Sequence, residues 1–149
     1  MTKEEKELLL KDLCSRLPYD VKVHTNGNNN IRTVKGIDLI VTDEGEWEYA
    51  ITSNDSTPIE LKYIKPYLRP LLNMTEEEKK ELSGKYNWGI RGNQIWIRYH
   101  SEGYWDDETE CPTEEYLNLF DWFNAHHFDY RDLIEKGLAL EAPEGMYKF

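Results

Sequence analysis

Cysteine is nearly absent: the 149 residues contain only Cys14 and Cys111, too far apart for any metal-ligand spacing. That excludes a disulfide-stapled small domain and a zinc finger, and in a reducing compartment both are free thiols. No run of about 18 apolar residues exists, so no transmembrane helix is expected. The opening "MTKEEKELLL" is acidic and lacks an apolar stretch followed by small residues, unlike a secretory signal. Basic residues are outnumbered, 18 Lys and Arg against 29 Asp and Glu, for a net charge of −11. A field of that sign opposes broad, salt-driven binding to nucleic acid or anionic lipid. There is no Gly-rich phosphate loop, nucleophile motif or glycosidase-like acid pair, so the sequence implies neither a reaction nor a cofactor.

Some deficits are local. From Asp43 to Glu60 there are six acids and no Lys or Arg, and from Tyr99 to Tyr130 nine acids, again without a basic residue. Solubility and helix-start acids account for such runs in many proteins. The sharper alternative is an acidic surface presented to a basic partner.

Bulky apolar material is plentiful, with five Trp, ten Tyr and four Phe, enough to give a polar chain of this length a core. "MTKEEKELLLKDLCSRLP" predicts a helix opened by a Thr2/Glu5 capping box and stopped at Pro18. Leu9, Leu13 and Leu17 mark its inner face, widened by Leu10 and Cys14. "VKVHT" alternates through Val21, Val23 and Thr25, and "NGNNN" is a turn. "IRTVKGIDLIVTD" is too long for one flat strand, and Gly36 is a natural bulge or bend in it. "WEYAITS" alternates through Trp47, Tyr49 and Ile51, and "IELKYI" is a short last strand before Pro66. Over residues 21 to 65 this pattern predicts a small, curved antiparallel sheet of the SH3-like kind. "KPYLRPLLNM", with two prolines, reads as an extended connector.

"MTEEEKKEL" starts a second helix with a Thr75/Glu78 capping box. "YNWGIRGNQIWIRY" is a hairpin signal: a two-residue turn at Gly92-Asn93 pairs Ile90 with Ile95, Trp88 with Ile97 and Tyr86 with Tyr99, and sets Trp96 opposite Gly89. "TEEYLNLFDWFNAHH" is an amphipathic helix capped by Thr113, with a stripe of Tyr116, Leu117, Phe120 and Phe123.

"HHFDYRDLIEKG" is the stretch most like a site. Adjacent residues on a helix point about 100° apart, so His126 and His127 are poorly placed to share an ion, and His24 or His100 could join only through the fold. A His–Asp129 acid/base dyad would stand without companions. As scaffolding the stretch explains more of itself. Asp129 caps a second short helix, Phe128 and Leu133 staple it, Gly137 stops it in a left-handed conformation, and the imidazoles sit at the end of the preceding helix. Elsewhere Trp96, flanked by Arg91 and Arg98, has the makings of a base-stacking platform, or simply covers a glycine across the ladder. The loop with Asp106, Asp107 and Glu108 lacks the ligand spacing of an EF-hand.

At "IKPYLRPLLNMTEEEKKEL", "FDWFNAHHFDYRDLIEKGLALEAPEGMYK" and "MTKEEKELLLKDLC", about half of the chain, the sequence resembles short uncharacterised proteins encoded by phages, prophages and mobile elements of gut Bacteroides-type bacteria. The resemblance implies a bacterial cytoplasm and a mobile-element context, and transfers no site.

The sequence as a whole predicts an α+β protein: an N-terminal helix and a small SH3-like sheet over residues 1–72, then a helix, an aromatic hairpin and a C-terminal helical pair over residues 73–149, the two parts forming separate units or one compact domain. The leading functional expectation is a non-enzymatic interaction protein with a protein partner, no membrane and no metal. The alternatives are a nucleic-acid-binding module using Trp96 and Arg98, and an acidic mimic using Asp106, Asp107 and Glu108.

Overall fold

The computed structural model describes residues 1–26, 30–54, 57–84, 86–91, 94–99 and 113–149, with backbone alone for 86–91, 94–99 and 113–115. The chain is α+β. Helix α1 spans Lys3–Arg16 and opens on the expected capping box: Glu5 N–H donates to Thr2 Oγ1 and Thr2 N–H to the Glu5 carboxylate. A single 3-10 turn, Leu17–Tyr19, carries Pro18 and ends the helix. Leu9 and Leu13 are fully buried, but Cys14 is exposed, and the inner face is completed instead by Asp12 and Arg16. Those two lie three and seven residues beyond Leu9, the spacing of a single helical face.

Strands β1 (Lys22–Thr25), β2 (Ile31–Thr33), β3 (Gly36–Val41), β4 (Trp47–Thr52), β5 (Ile59–Glu60) and β6 (Ile64–Leu68) follow. They do not form one SH3-like sheet. β1, β2 and β6 join a late strand, β9 (Leu140–Glu141), in the order β2-β1-β6-β9, while β3, β4 and β5 make a second sheet, and neither closes into a barrel. The division falls inside "IRTVKGIDLIVTD". Val34 still donates to Val21 of the first sheet, whereas Lys35 donates to Thr52 of the second. Gly36 also pairs with Thr52, so two residues oppose one, as in a β-bulge. A Cβ at Gly36 would lie 2.7 Å from Thr52 Oγ1. The bulge expected at this glycine is thus where the chain changes sheets.

The proline-bearing connector is in part a strand. Pro66 sits in β6 opposite Val23. Asn26 N–H donates to Tyr63 O, and counting pairs along the antiparallel ladder makes Val23–Pro66 a non-hydrogen-bonded pair. The missing N–H of Pro66 therefore faces away from β1, toward a side where pairing with β9 begins only at Tyr67.

Helix α2 (Glu76–Ser83) has its Thr75/Glu78 capping box. The hairpin of β7 (Tyr86–Arg91) and β8 (Gln94–Tyr99) has the register the sequence predicts, from Tyr86 opposite Tyr99 to Arg91 opposite Gln94; the turn residues themselves lie outside the described part. Helix α3 (Thr113–Ala125) forms where expected, with Thr113 inside it and its end two residues short of His127, but its stripe is rotated. Leu119 and Phe123 are buried, while Tyr116, Leu117 and Phe120 are exposed.

The expected second C-terminal helix does not form. Residues 130–137 are a series of turns, because Asp132 adopts a left-handed conformation (φ 57°), which a helix interior does not accept. Two apolar clusters result. One joins Leu9 and Leu13 to Val21, Val23, Ile51 and Leu68, and is completed by Leu133 and Leu138 from the end of the chain. The other gathers Leu71, Met74 and Leu82 around Phe123 and Phe128. No described helix is long and apolar enough to cross a membrane.

Candidate functional site

The double histidine sits at the end of α3. Phe128 N–H donates to Phe123 O and His127 N–H to Asn124 O, with His127 left-handed at φ 58°. This is a Schellman termination in which histidine stands where glycine is usual, and the accompanying hydrophobic contact is Phe123 edge-on to Phe128. The same pattern recurs ten residues later: Leu138 donates to Leu133 O and Gly137 to Ile134 O, with Gly137 left-handed as the sequence predicts. Between them Asp129 accepts from the backbone amides of Leu133 and Ile134, both at 2.9 Å. The carboxylate thus tethers amides as expected, but four and five residues ahead, across a turn.

The two rings go separate ways. His126 donates through Nδ1 to Trp122 O at 2.8 Å and stacks on Trp122, with ring centroids 4.0 Å apart. His127 is buried and stacks on Tyr147 at 3.7 Å, its Nδ1 without a hydrogen-bond partner among the described residues. Burial, reinforced by the Arg16 and Arg69 guanidiniums and by His126, lowers the His127 pKa to about 3, so the ring is neutral. Burial likewise raises the Tyr147 phenol to about 12. No three His, Cys, Asp or Glu side chains converge as metal ligands among the described residues. The corner works as structure: Arg69 lies over both Phe128 and Phe149 and pairs with Glu78. Burial pushes Glu78 up, but its hydrogen bonds to Arg69 and to the Thr75 backbone outweigh this and hold the carboxyl below its ordinary value.

Beside this corner lies an open cavity of about 840 Å³, lined by Arg69, Asn73, Glu78, Glu141, Tyr147 and Phe149 among others. Its polar groups are largely engaged with one another, since Arg69 is paired with Glu78 and Asn73 donates to Glu141.

Of the surface residues singled out from the sequence, Trp96 and Arg98 lie on β8 opposite Gly89 and Asn87. Asp106, Asp107 and Glu108 lie outside the described residues, as does Cys111. One exposed apolar surface among the described residues was missed. Trp47 and Tyr49, expected to alternate inward with Ile51, are 67% and 46% exposed, and their partners across the ladder, Val41 and Leu39, are 54% and 51% exposed. These four residues occupy successive positions on one face of the β3–β4 hairpin. Only the root of that face, at Ile51, is buried. A signal was available. The inner half of the strand pair already supplies Ile37, Ala50 and Ile51 to the core, and the acids Asp43, Glu44 and Glu46 beside Trp47 mark a solvated hairpin end.

The chain matches no protein-family model, and comparison with curated proteins and with solved structures finds no match.

Proposed function

We propose that this chain is a non-enzymatic interaction protein that docks a protein partner on the β3–β4 hairpin face, as an accessory protein of a phage or mobile element. One observation carries this reading: the contiguous exposed ladder of Leu39, Val41, Trp47 and Tyr49. Single exposed apolar residues are ordinary on a protein surface, but a contiguous patch containing Trp and Tyr and rimmed by charge is typical of a binding site. The mobile-element context rests on the resemblance of the sequence segments given above, and the non-enzymatic reading on the absence of any reaction motif in the sequence.

The test is affinity capture from a bacterial host lysate, using the intact chain and a Trp47→Ala/Tyr49→Ala variant as parallel baits. The reading expects a partner held by the first and lost by the second, with the fold of both verified by circular dichroism. Partners held equally by both baits would reject the ladder as the docking face. Turnover of nucleotides, nucleic acids or esters by the purified chain would reject the non-enzymatic reading. Salt-sensitive oligonucleotide binding lost on Arg98→Ala would favour a nucleic-acid module instead. A basic partner released by neutralising Asp106, Asp107 and Glu108 would favour an acidic mimic.

A further inference from the structure

We infer that the β3–β4 hairpin binds its partner by strand addition, accepting along the outer edge of β3 an extended, basic segment with alternating apolar side chains. This rests on the docking reading above and specifies its chemistry.

The backbone supplies the first observation. Among the described residues β3 pairs only with β4, so it is the edge strand of its sheet. The hairpin is closed by Thr42 N–H donating to Glu46 O. In an antiparallel ladder hydrogen-bonded pairs alternate with non-hydrogen-bonded ones. Counting back from Thr42–Glu46, the bonds to β4 fall at Ile40, Asp38 and Gly36. The amides and carbonyls of Ile37, Leu39 and Val41 therefore point outward, away from β4. The residues that offer free backbone groups are thus the same ones whose side chains build β3's half of the exposed ladder. An added strand would form main-chain bonds at Leu39 and Val41 and lay alternate side chains beside those two residues, extending by one strand the apolar face that Tyr49 and Trp47 continue on β4. Sheet-edge recognition obtains both affinity and specificity in this way.

Protection of the edge is partial: the bulge at Gly36 and the exposed charge of Asp38 discourage indiscriminate pairing. "GIDLIV" has no Lys or Pro, no described strand pairs with its outer side, and both Leu39 and Val41 are about half exposed.

Charge selects the occupant. The hairpin contains no Lys or Arg; Asp38, Asp43, Glu44 and Glu46 are all exposed, and among the described residues Glu48 pairs with a base, Lys6. A second copy of this chain would bring the same acids and its own net charge of −11 to the contact, so self-pairing is opposed. A cationic partner is attracted.

The probe is a synthetic peptide alternating Lys and Val, titrated into the isotope-labelled full chain and followed by amide chemical shifts and hydrogen exchange. The amides of Ile37, Leu39 and Val41 should shift and exchange at least tenfold more slowly on binding. Affinity should fall at least tenfold when Glu replaces Lys in the peptide, and at least tenfold when one edge of the peptide is N-methylated, which leaves its charge and side chains in place. Leu39→Pro should produce a similar loss. The amide it removes is not part of the β4 ladder, and edge strands tolerate proline. Should that variant fold poorly, Val41→Lys provides the second obstruction of the edge.

Absence of binding by the basic peptide overturns the proposal, as does equal binding of the Glu peptide. So does concentration-dependent self-association of the free chain that Leu39→Pro abolishes. If the N-methylated peptide binds as well as its parent while Trp47→Ala abolishes both, strand addition is overturned and docking on the ladder stands. If neither peptide responds to Trp47→Ala and the parallel baits hold the same partners, both readings fail.

Discussion

The guanidinium of Arg16, fully shielded from solvent, grips both carboxylate oxygens of Asp12 one helical turn away, at 2.8 and 3.0 Å. It also donates to Phe128 O at 2.8 Å, so a charged pair on α1 is the hinge pin between the first helix and the end of α3. Removing one partner of a buried pair strands the other charge in a poorly hydrated interior. Asp12→Ala should therefore destabilise the chain by about 3–5 kcal/mol, measured by urea denaturation. Replacing both, as Asp12→Leu with Arg16→Met, should cost less than the single change.

Stability should fall in mild acid because of His127. Its pKa is depressed from 6.5 to about 3 by burial and by Arg16 and Arg69, so between those values the unfolded chain takes up a proton that the folded chain refuses. The contribution is fully present above pH 6.5 and is lost as pH falls toward 3, at up to about 1.4 kcal/mol per pH unit. Denaturation midpoints across that window should flatten in His127→Asn, a residue that also tolerates the left-handed backbone.

The two capping boxes should differ in weight. Thr75→Ala removes a cap whose partner Glu78 also holds Arg69, and should cost about 1–2 kcal/mol. Thr2→Ala acts at an exposed helix start and should cost about 0.5–1 kcal/mol, visible in thermal melts only as a small shift.

Trp47 and Ile51 stand two rungs apart on the same face of β4, yet their truncation should have opposite consequences. Trp47→Ala should change stability by no more than about 0.5 kcal/mol and act on binding alone. Ile51→Ala, at a position with 1% exposure, should cost about 2–5 kcal/mol. Equal losses in chemical denaturation would place Trp47 in the core and remove the docking face.

Features decided within a few residues were legible before folding was considered. Both capping boxes, the β7–β8 register, the bulge at Gly36 and the left-handed Gly137 are in place. Each rests on hydrogen bonds or steric limits inside one short segment. The corner at His126 and His127 was half legible. Its termination and the tethering role of Asp129 were read correctly, but the helix expected after it was not formed, since a left-handed Asp132 carries no distinctive sequence mark.

The sequence by itself determined the capped helix starts, the hairpin register and the alternation along the strands. Only the tertiary structure decided which apolar side is covered. Periodicity records a face but not the neighbour that packs on it. Hence Trp47, Tyr49 and Leu117 read as core and lie in solvent, while the charged Asp12 and Arg16, no part of the apolar stripe, lie inside. The split of one strand run into two sheets has the same origin. Val34 and Lys35 are adjacent in sequence, and only their distant partners, Val21 and Thr52, assign them to different layers.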